Sequence, residues 1–175
     1  MAVRSRQKIE HRLASDPAYR EDMEYIHETL THNRVFIGQI HVAQGTDQEW
    51  VVTFTVGMFN YELPELVLTG VPVAVVENII EELCGHATDF NREFLDGTRS
   101  KVIEGFNVVA LGIEKPSALT ELQLCQDYYT LYLDKQLRAC QLVFANGAGI
   151  YPWSREYAEA DRRHQKILAM PATMN

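Results

Sequence analysis

A pair of glutamates beside a proline is the feature of this sequence best suited to chemistry. Glu62 and Glu65 flank Pro64 in a loop that leads into the short apolar segment 66–69. A carboxylate at the mouth of a strand can orient a polar ligand or act as a general base. The structural alternative, which the sequence favours, is that Glu65 accepts hydrogen bonds from nearby backbone N–H groups and fixes the turn.

The histidines and cysteines form no recognisable metal-binding or nucleophilic motif. No two of the six histidines stand at the i, i+4 spacing that would place two metal ligands on one helix face. The three cysteines are too far apart for a CxxC pair: Cys84, Cys125 and Cys140. We therefore expect no metal, no cofactor and free buried thiols in a reducing compartment. If the protein is an enzyme, His164 or His86 could assist Glu65, and Cys140 is a weaker candidate nucleophile.

Three other polar or aromatic residues accompany apolar strands and turns. Gln141 opens an apolar strand, so its amide either pairs with an edge backbone group or points into a pocket. Trp153 lies between Pro152 and Ser154 and is either a core anchor or an aromatic pocket wall. Thr55 is typical of a strand and by itself indicates nothing more.

Taken together, these segments resemble the DUF4262 family. Residues 54–58 (Phe-Thr-Val-Gly-Met), 63–66 (Leu-Pro-Glu-Leu) and Gly70 are similar to its front motif, aromatic-Thr-x-Gly-Leu, His-Pro-Glu-Leu and Gly. Residues 141–153 resemble its Gln-x-x-Trp-Pro-Asp-x-x-Gly-x-x-Pro-Trp signature, and Gln165 stands where the family has Gln-Pro. The resemblance covers about residues 35–168 and implies a site without a reaction. That site would gather Thr55, Glu65, Gln141, Asn146, Trp153 and Gln165 as ligand-binding residues.

Three departures from the family pattern bear on the expected site. Leu63 replaces the usual histidine, Ala145-Asn146 replaces Pro-Asp, and Lys166 replaces a proline. The second motif therefore lacks a carboxylate. If that aspartate is catalytic in relatives, this protein has lost or changed the activity.

Composition and charge narrow the class of protein. The chain has 175 residues, 46% of them hydrophobic, with 16 basic against 24 acidic side chains and a net charge of −8. This balance disfavours general nucleic-acid binding and anionic membrane surfaces, both of which need clustered Lys and Arg. The sequence shows no signal peptide and no apolar run of membrane-spanning length, so we expect a cytoplasmic protein.

The pattern of apolar residues then predicts the elements that position these side chains. A basic segment at 4–13 is a short helix or arm, and Asp16-Pro17 begins a helix at about 17–31 with one apolar face. Strands are expected at 35–42, 50–56, 66–69, 102–103, 106–113 and 141–144, the first two forming a hairpin. Further helices are expected from Pro72, from Pro116 with Tyr129 and Tyr132 on its buried side, and after Pro152.

This order predicts a single α+β domain with a mixed or largely antiparallel sheet flanked by helices. We divide it into an N-terminal helical extension at 1–32 and a DUF4262-like domain at 33–170. The leading hypothesis is a domain that binds a small polar ligand or a protein partner without catalysis. Two alternatives remain: a hydrolase or transferase using Glu65, and an assembly, accessory or immunity-type protein that forms homo-oligomers through residues 4–28.

Overall fold

Two helices begin the chain. The structure, a computed structural model, describes residues 2–44, 48–87, 107–157 and 165–168. Helix α1 spans Ala2–Ser15 and helix α2 spans Pro17–Thr31. The Asp16 side chain accepts a hydrogen bond from the Tyr19 N–H at 3.1 Å, which caps the start of α2 as the sequence predicts. Both expected N-terminal elements are confirmed, and the first is a helix.

A mixed five-stranded sheet forms the centre of the described structure. Its strands are β1 (Phe36–Gln44), β2 (Gln48–Val56), β3 (Glu65–Thr69), β4 (Val108–Gly112) and β5 (Ala139–Phe144). They lie in the order β1-β2-β3-β5-β4, and every neighbouring pair is antiparallel except β3 and β5. The parallel pair places Glu65 beside Ala139 and Val67 beside Gln141. The predicted α+β class with an N-terminal helical segment is confirmed.

Helices cover both faces of this sheet, so β3 is buried along its whole length. Alternate residues of a strand point to opposite faces. On one side Phe54 and Val67 pack in a core with Met23 and Ile26 of α2. On the other side Leu66, Leu68 and Leu142 pack with Ile79 of helix α3, which spans Val73–Gly85.

The segment after β4 is less regular than its sequence predicts. Two 3₁₀ turns at Pro116–Ala118 and Thr120–Leu122 precede helix α4 (Gln123–Tyr128), and a π-helical turn follows at Tyr129–Leu133. Tyr129 is buried as expected, but Tyr132 is 42% exposed. The prediction for Tyr132 was wrong because a π turn widens the helical repeat and rotates the later residues away from the buried stripe.

Two predicted elements fall partly or wholly outside the described residues. The strand expected at 102–103 lies there, as does most of the helix expected after Pro152. Residues 151–157 form turns and residues 165–168 have no regular secondary structure. Among the residues that the structure describes, no helix combines the length and apolar character needed to cross a bilayer.

The division at residue 32 stays a prediction, but the packing ties the first helices to the sheet. Ile9 of α1 and Tyr19, Met23, Ile26 and Leu30 of α2 are buried in the same core as β2. We therefore expect α2 to contribute directly to the stability of the whole domain.

Met23→Ala should lower the free energy of unfolding by about 2–5 kcal/mol, since it leaves a cavity at a fully buried position. Urea denaturation measures the change. Glu24→Ala, at the neighbouring exposed position, is the control and should change stability by less than about 0.5 kcal/mol. Equal effects of the two substitutions would show that the helices are a separable extension.

Candidate functional site

The carboxylate of Glu65 is the centre of a buried polar cluster with four hydrogen-bond donors. Its Oε1 accepts hydrogen bonds from the Gly57 N–H at 2.9 Å and the Tyr129 hydroxyl at 2.5 Å. Its Oε2 accepts from the Thr55 hydroxyl at 2.7 Å and the Met58 N–H at 3.2 Å. The side chain is fully buried. Each carboxylate oxygen therefore has two donors, which uses the usual accepting capacity of the group.

The chain reversal between β2 and β3 builds this cluster. Thr55 is near the end of β2, and its hydroxyl also accepts a hydrogen bond from the Leu66 N–H at 2.8 Å. Gly57 has φ of 122°, a conformation that residues with a side chain rarely adopt, and a Cβ added at this position would lie 2.4 Å from a methyl group of Leu30. The glycine lets the two successive N–H groups of Gly57 and Met58 point toward Glu65. This is the arrangement expected if Glu65 accepts backbone hydrogen bonds and fixes the turn.

Burial changes the acid–base properties of the groups around this carboxylate. Burial raises the pKa of Glu65, and the hydrogen bonds from Tyr129, Gly57, Thr55 and Met58 offset part of the rise. Burial and the neighbouring carboxylate also raise the pKa of Tyr129, so its hydroxyl stays a donor.

The cysteines next to this cluster are poor nucleophiles. Burial is the main cause that raises the pKa of both Cys125 and Cys140, and Glu65 adds to it. A thiolate is the reactive form of cysteine, so a raised pKa lowers reactivity. This weighs against Cys140 as a nucleophile. Among the described residues, no group of three or more His, Cys, Asp or Glu is placed to hold a metal ion.

Tyr129 connects the buried carboxylate to an open cleft, which we call the Tyr129 cleft. It has a volume of about 710 Å³ and is lined by Phe59, Glu62, Leu63, Tyr129, Lys135, Gln136 and Arg138. The Lys135 ammonium lies 5.6 Å from the centre of the Phe59 ring, which itself packs edge-on against Tyr129. The exposed Lys135 and Arg138 carry two positive charges at this opening against the single carboxylate of Glu62, so the lining is locally basic in an acidic protein.

A second polar cluster lies at the other end of β3. The fully buried Gln141 donates to the Lys166 carbonyl at 2.6 Å and accepts from the Leu168 N–H at 2.7 Å. The Gln165 amide pairs with both backbone groups of Phe144, each at 2.8 Å. Both glutamine side chains are thus held by backbone.

The last pair of candidates belongs to the loop after β5. The Asn146 Oδ1 accepts from the N–H groups of Ala148 and Ile150, at 3.1 and 3.0 Å, which fixes the turn. Trp153 stacks on Tyr151, with ring centres 4.8 Å apart and planes 1° from parallel, and is half-buried. Asn146 therefore already has a role in the loop that needs no ligand.

Of the six ligand-binding residues expected from the sequence, the structure brings two into direct contact, Thr55 and Glu65. Gln141 forms hydrogen bonds with the segment 165–168, to which Gln165 belongs. Asn146 and Trp153 belong to the loop 145–153. His164 lies outside the described residues, and His86 is exposed at the end of α3. Their convergence on one ligand stays a prediction.

The residues that link Glu65 to the cleft were not among the candidates predicted from the sequence. Tyr129 was expected only on an apolar stripe, although a buried phenol needs a hydrogen-bond partner and so carries a signal of its own. Lys135 and Arg138 follow the π turn in a stretch without a motif, and nothing in their spacing indicates a cleft.

Tyr129→Phe should lower the free energy of unfolding by about 1.5–3 kcal/mol, because the buried carboxylate of Glu65 loses one of its four hydrogen-bond donors. Thermal or urea denaturation measures the loss. Tyr132→Phe, in the same π turn but 42% exposed, is the matched control and should have almost no effect. If neither substitution changes the free energy of unfolding, the hydrogen bond from the Tyr129 hydroxyl does not stabilise the buried Glu65 carboxylate.

Comparison with known proteins identifies a family model and no individual relative. The model, described as a domain of unknown function (DUF4262), matches residues 37–158. That range includes the Glu65 cluster and Gln141, and leaves α1, α2 and residues 165–168 outside. Neither the curated proteins nor the solved structures include a match to the chain.

Proposed function

The chain belongs to the DUF4262 family, a domain of unknown function, and we propose that it binds a small polar ligand without catalysis, in the Tyr129 cleft. The observation that carries ligand binding is the cleft of about 710 Å³ with its two cationic side chains, and the observation that weighs against catalysis is the saturated carboxylate of Glu65. It occupies the position best suited to chemistry in the sequence, yet all its accepting capacity is used inside the protein. Its role in the proposal is to hold Tyr129 as a wall of the cleft.

The same geometry weighs against the hydrolase or transferase alternative. A general base needs an accepting lone pair within hydrogen-bond reach of the substrate proton. Glu65 is 0% exposed and each oxygen already accepts twice, so a substrate would have to displace a donor. Binding therefore ranks above acid–base catalysis. Of the two histidines proposed to assist Glu65, His86 is exposed at the end of α3 and His164 lies outside the described residues, so that assistance stays a prediction.

The cleft favours a small ligand with negative charge. Its volume of about 710 Å³ is in the range of small-molecule sites. Lys135 and Arg138 supply two cationic groups against the one carboxylate of Glu62, and Phe59 with Tyr129 supplies aromatic surface beside them. A carboxylate or phosphate on a compact, partly apolar molecule matches this lining, because Arg and Lys bind such groups through charge-assisted hydrogen bonds.

Packing of the first helix bears on the oligomer alternative. Arg12 lies over the Tyr19 ring at 4.0 Å and pairs with Asp16 at 3.5 Å, so part of the basic segment is engaged within its own chain. Assembly through residues 4–28 stays a prediction and ranks below ligand binding.

Native mass spectrometry of the protein purified from its own host tests the proposal. We expect a small-molecule adduct on the wild type that is lost from Lys135→Ala/Arg138→Ala, since two charged contacts of about 1.5–3 kcal/mol each correspond to more than about a hundredfold in affinity. Lys115→Ala/Arg155→Ala removes the same charges at exposed positions elsewhere and should keep the adduct.

An adduct that survives in both double variants, or is absent from the wild type, contradicts the proposed site. Incubation of the released ligand with the wild type then separates binding from catalysis. Unchanged ligand supports the proposal, and a product of altered mass supports the enzyme alternative.

A further inference from the structure

Residues 165–168 are held in the manner of a bound peptide. The Lys166 carbonyl accepts from both the Gln141 amide at 2.6 Å and the Thr69 hydroxyl at 2.9 Å, and the Leu168 N–H donates to Gln141. These are the carbonyl before and the N–H after Ile167. A neighbouring strand in a parallel ladder engages the same two groups. The Gln141 side chain thus substitutes for one residue of such a strand.

The end of β5 receives the segment in a complementary way. Pairing between β3 and β5 stops at Val67 and Gln141, although β5 continues to Phe144. Gln165 fills the open position, since its amide takes both the N–H and the carbonyl of Phe144. An antiparallel partner residue would make the same pair of bonds. The receiving surface therefore offers strand-like hydrogen bonds that this short segment completes.

We propose that the surface formed by Thr69, Gln141 and Phe144 is a groove that binds an extended peptide by its backbone, and that residues 165–168 are its occupant within this chain. The receiving residues lie inside the range matched by the family, residues 37–158, and the occupant lies outside it. The proposal uses a different surface from the Tyr129 cleft and does not depend on the ligand proposed there.

Side chains add a preference to this backbone recognition. The Lys166 ammonium lies 3.9 Å from the centre of the Trp50 ring, a cation–π contact, and Leu168 packs against the core. A cavity of about 340 Å³, bordered by Val75, Tyr157 and Gln165, adjoins the groove. The chemistry of the favoured peptide is therefore an amide side chain, then a cation, and an apolar residue two positions further on.

A competing peptide must displace a tethered segment. Tethering gives the cis segment an effective concentration in the millimolar range, so a micromolar peptide cannot compete in the wild type. Gln165→Ala/Lys166→Ala in the full-length chain removes the side-chain contacts of the occupant and leaves the groove residues intact. Both positions are only partly buried, and this variant should keep the fold.

Fluorescence anisotropy with a labelled peptide of residues 162–170 is the test. We expect the Gln165→Ala/Lys166→Ala variant to bind this peptide about tenfold or more tightly than the wild type. Adding Gln141→Leu to the variant should abolish the gain, because the clamp on the peptide backbone is lost. Circular dichroism confirms that each protein is folded.

Backbone recognition has its own control within the same assay. A peptide N-methylated at the position of Leu168 lacks the N–H that donates to the Gln141 side chain. It should bind the variant about tenfold or more weakly than the unmodified peptide, because a buried acceptor loses one hydrogen bond. Equal binding of this peptide, or equal binding by the wild type and the variant, overturns the groove. A wild-type dimer that becomes monomeric in the variant, by light scattering, overturns the cis assignment in favour of exchange between two copies.

Discussion

A buried carboxylate held by four donors is the interaction on which the arrangement of this domain depends. Moving an ionisable group out of water is costly unless hydrogen bonds replace those to the solvent. Glu65 gathers its donors from the end of β2, the turn after it and the π turn, so three parts of the chain must be in place at once. The carboxylate therefore fixes where Tyr129, and with it the cleft wall, can lie.

The parallel contact between β3 and β5 is the second constraint. It joins two strands that are far apart in sequence. It pairs Glu65 with Ala139 and Val67 with Gln141, so Glu65 and Gln141 lie on neighbouring strands two positions apart in register. Because β3 is buried along its whole length, its polar residues must find partners inside the protein. Glu65 at its start and Thr69 at its end both do so, with different segments of the chain.

These two partnerships give β3 a different neighbour at each end. At its start, the Glu65 cluster supports the wall of an open, locally basic cleft. At its end, Thr69 and Gln141 hold an irregular segment by its backbone, next to a Trp50 ring that faces the Lys166 ammonium. The polar residues at the two ends of β3, Glu65 and Thr69, thus position two separate surfaces. The three buried apolar residues between them separate these surfaces by the length of the strand.

Much of the local structure was determined by the sequence itself. The Asp16-Pro17 start of α2, the hairpin of β1 and β2, the apolar strand after Pro64 and the stripe of α3 all follow from patterns within a few residues, because capping, alternation and helical periodicity are local. The family also follows from short motifs, and the departures at Leu63, Asn146 and Lys166 are visible without coordinates.

Only the tertiary structure decided what the polar residues of those motifs do. Whether Glu65 is a base or a structural acceptor depends on donors from Tyr129, 64 residues away in the chain, and on its complete burial. The π turn that rotates Tyr132 outward, and the pairing of Gln141 with residues 165–168, are likewise set by packing over long sequence separations. Whether a buried acceptor has all its donors depends on residues that are distant in the sequence and come together only in the folded chain. The sequence of a single strand or turn therefore cannot predict it.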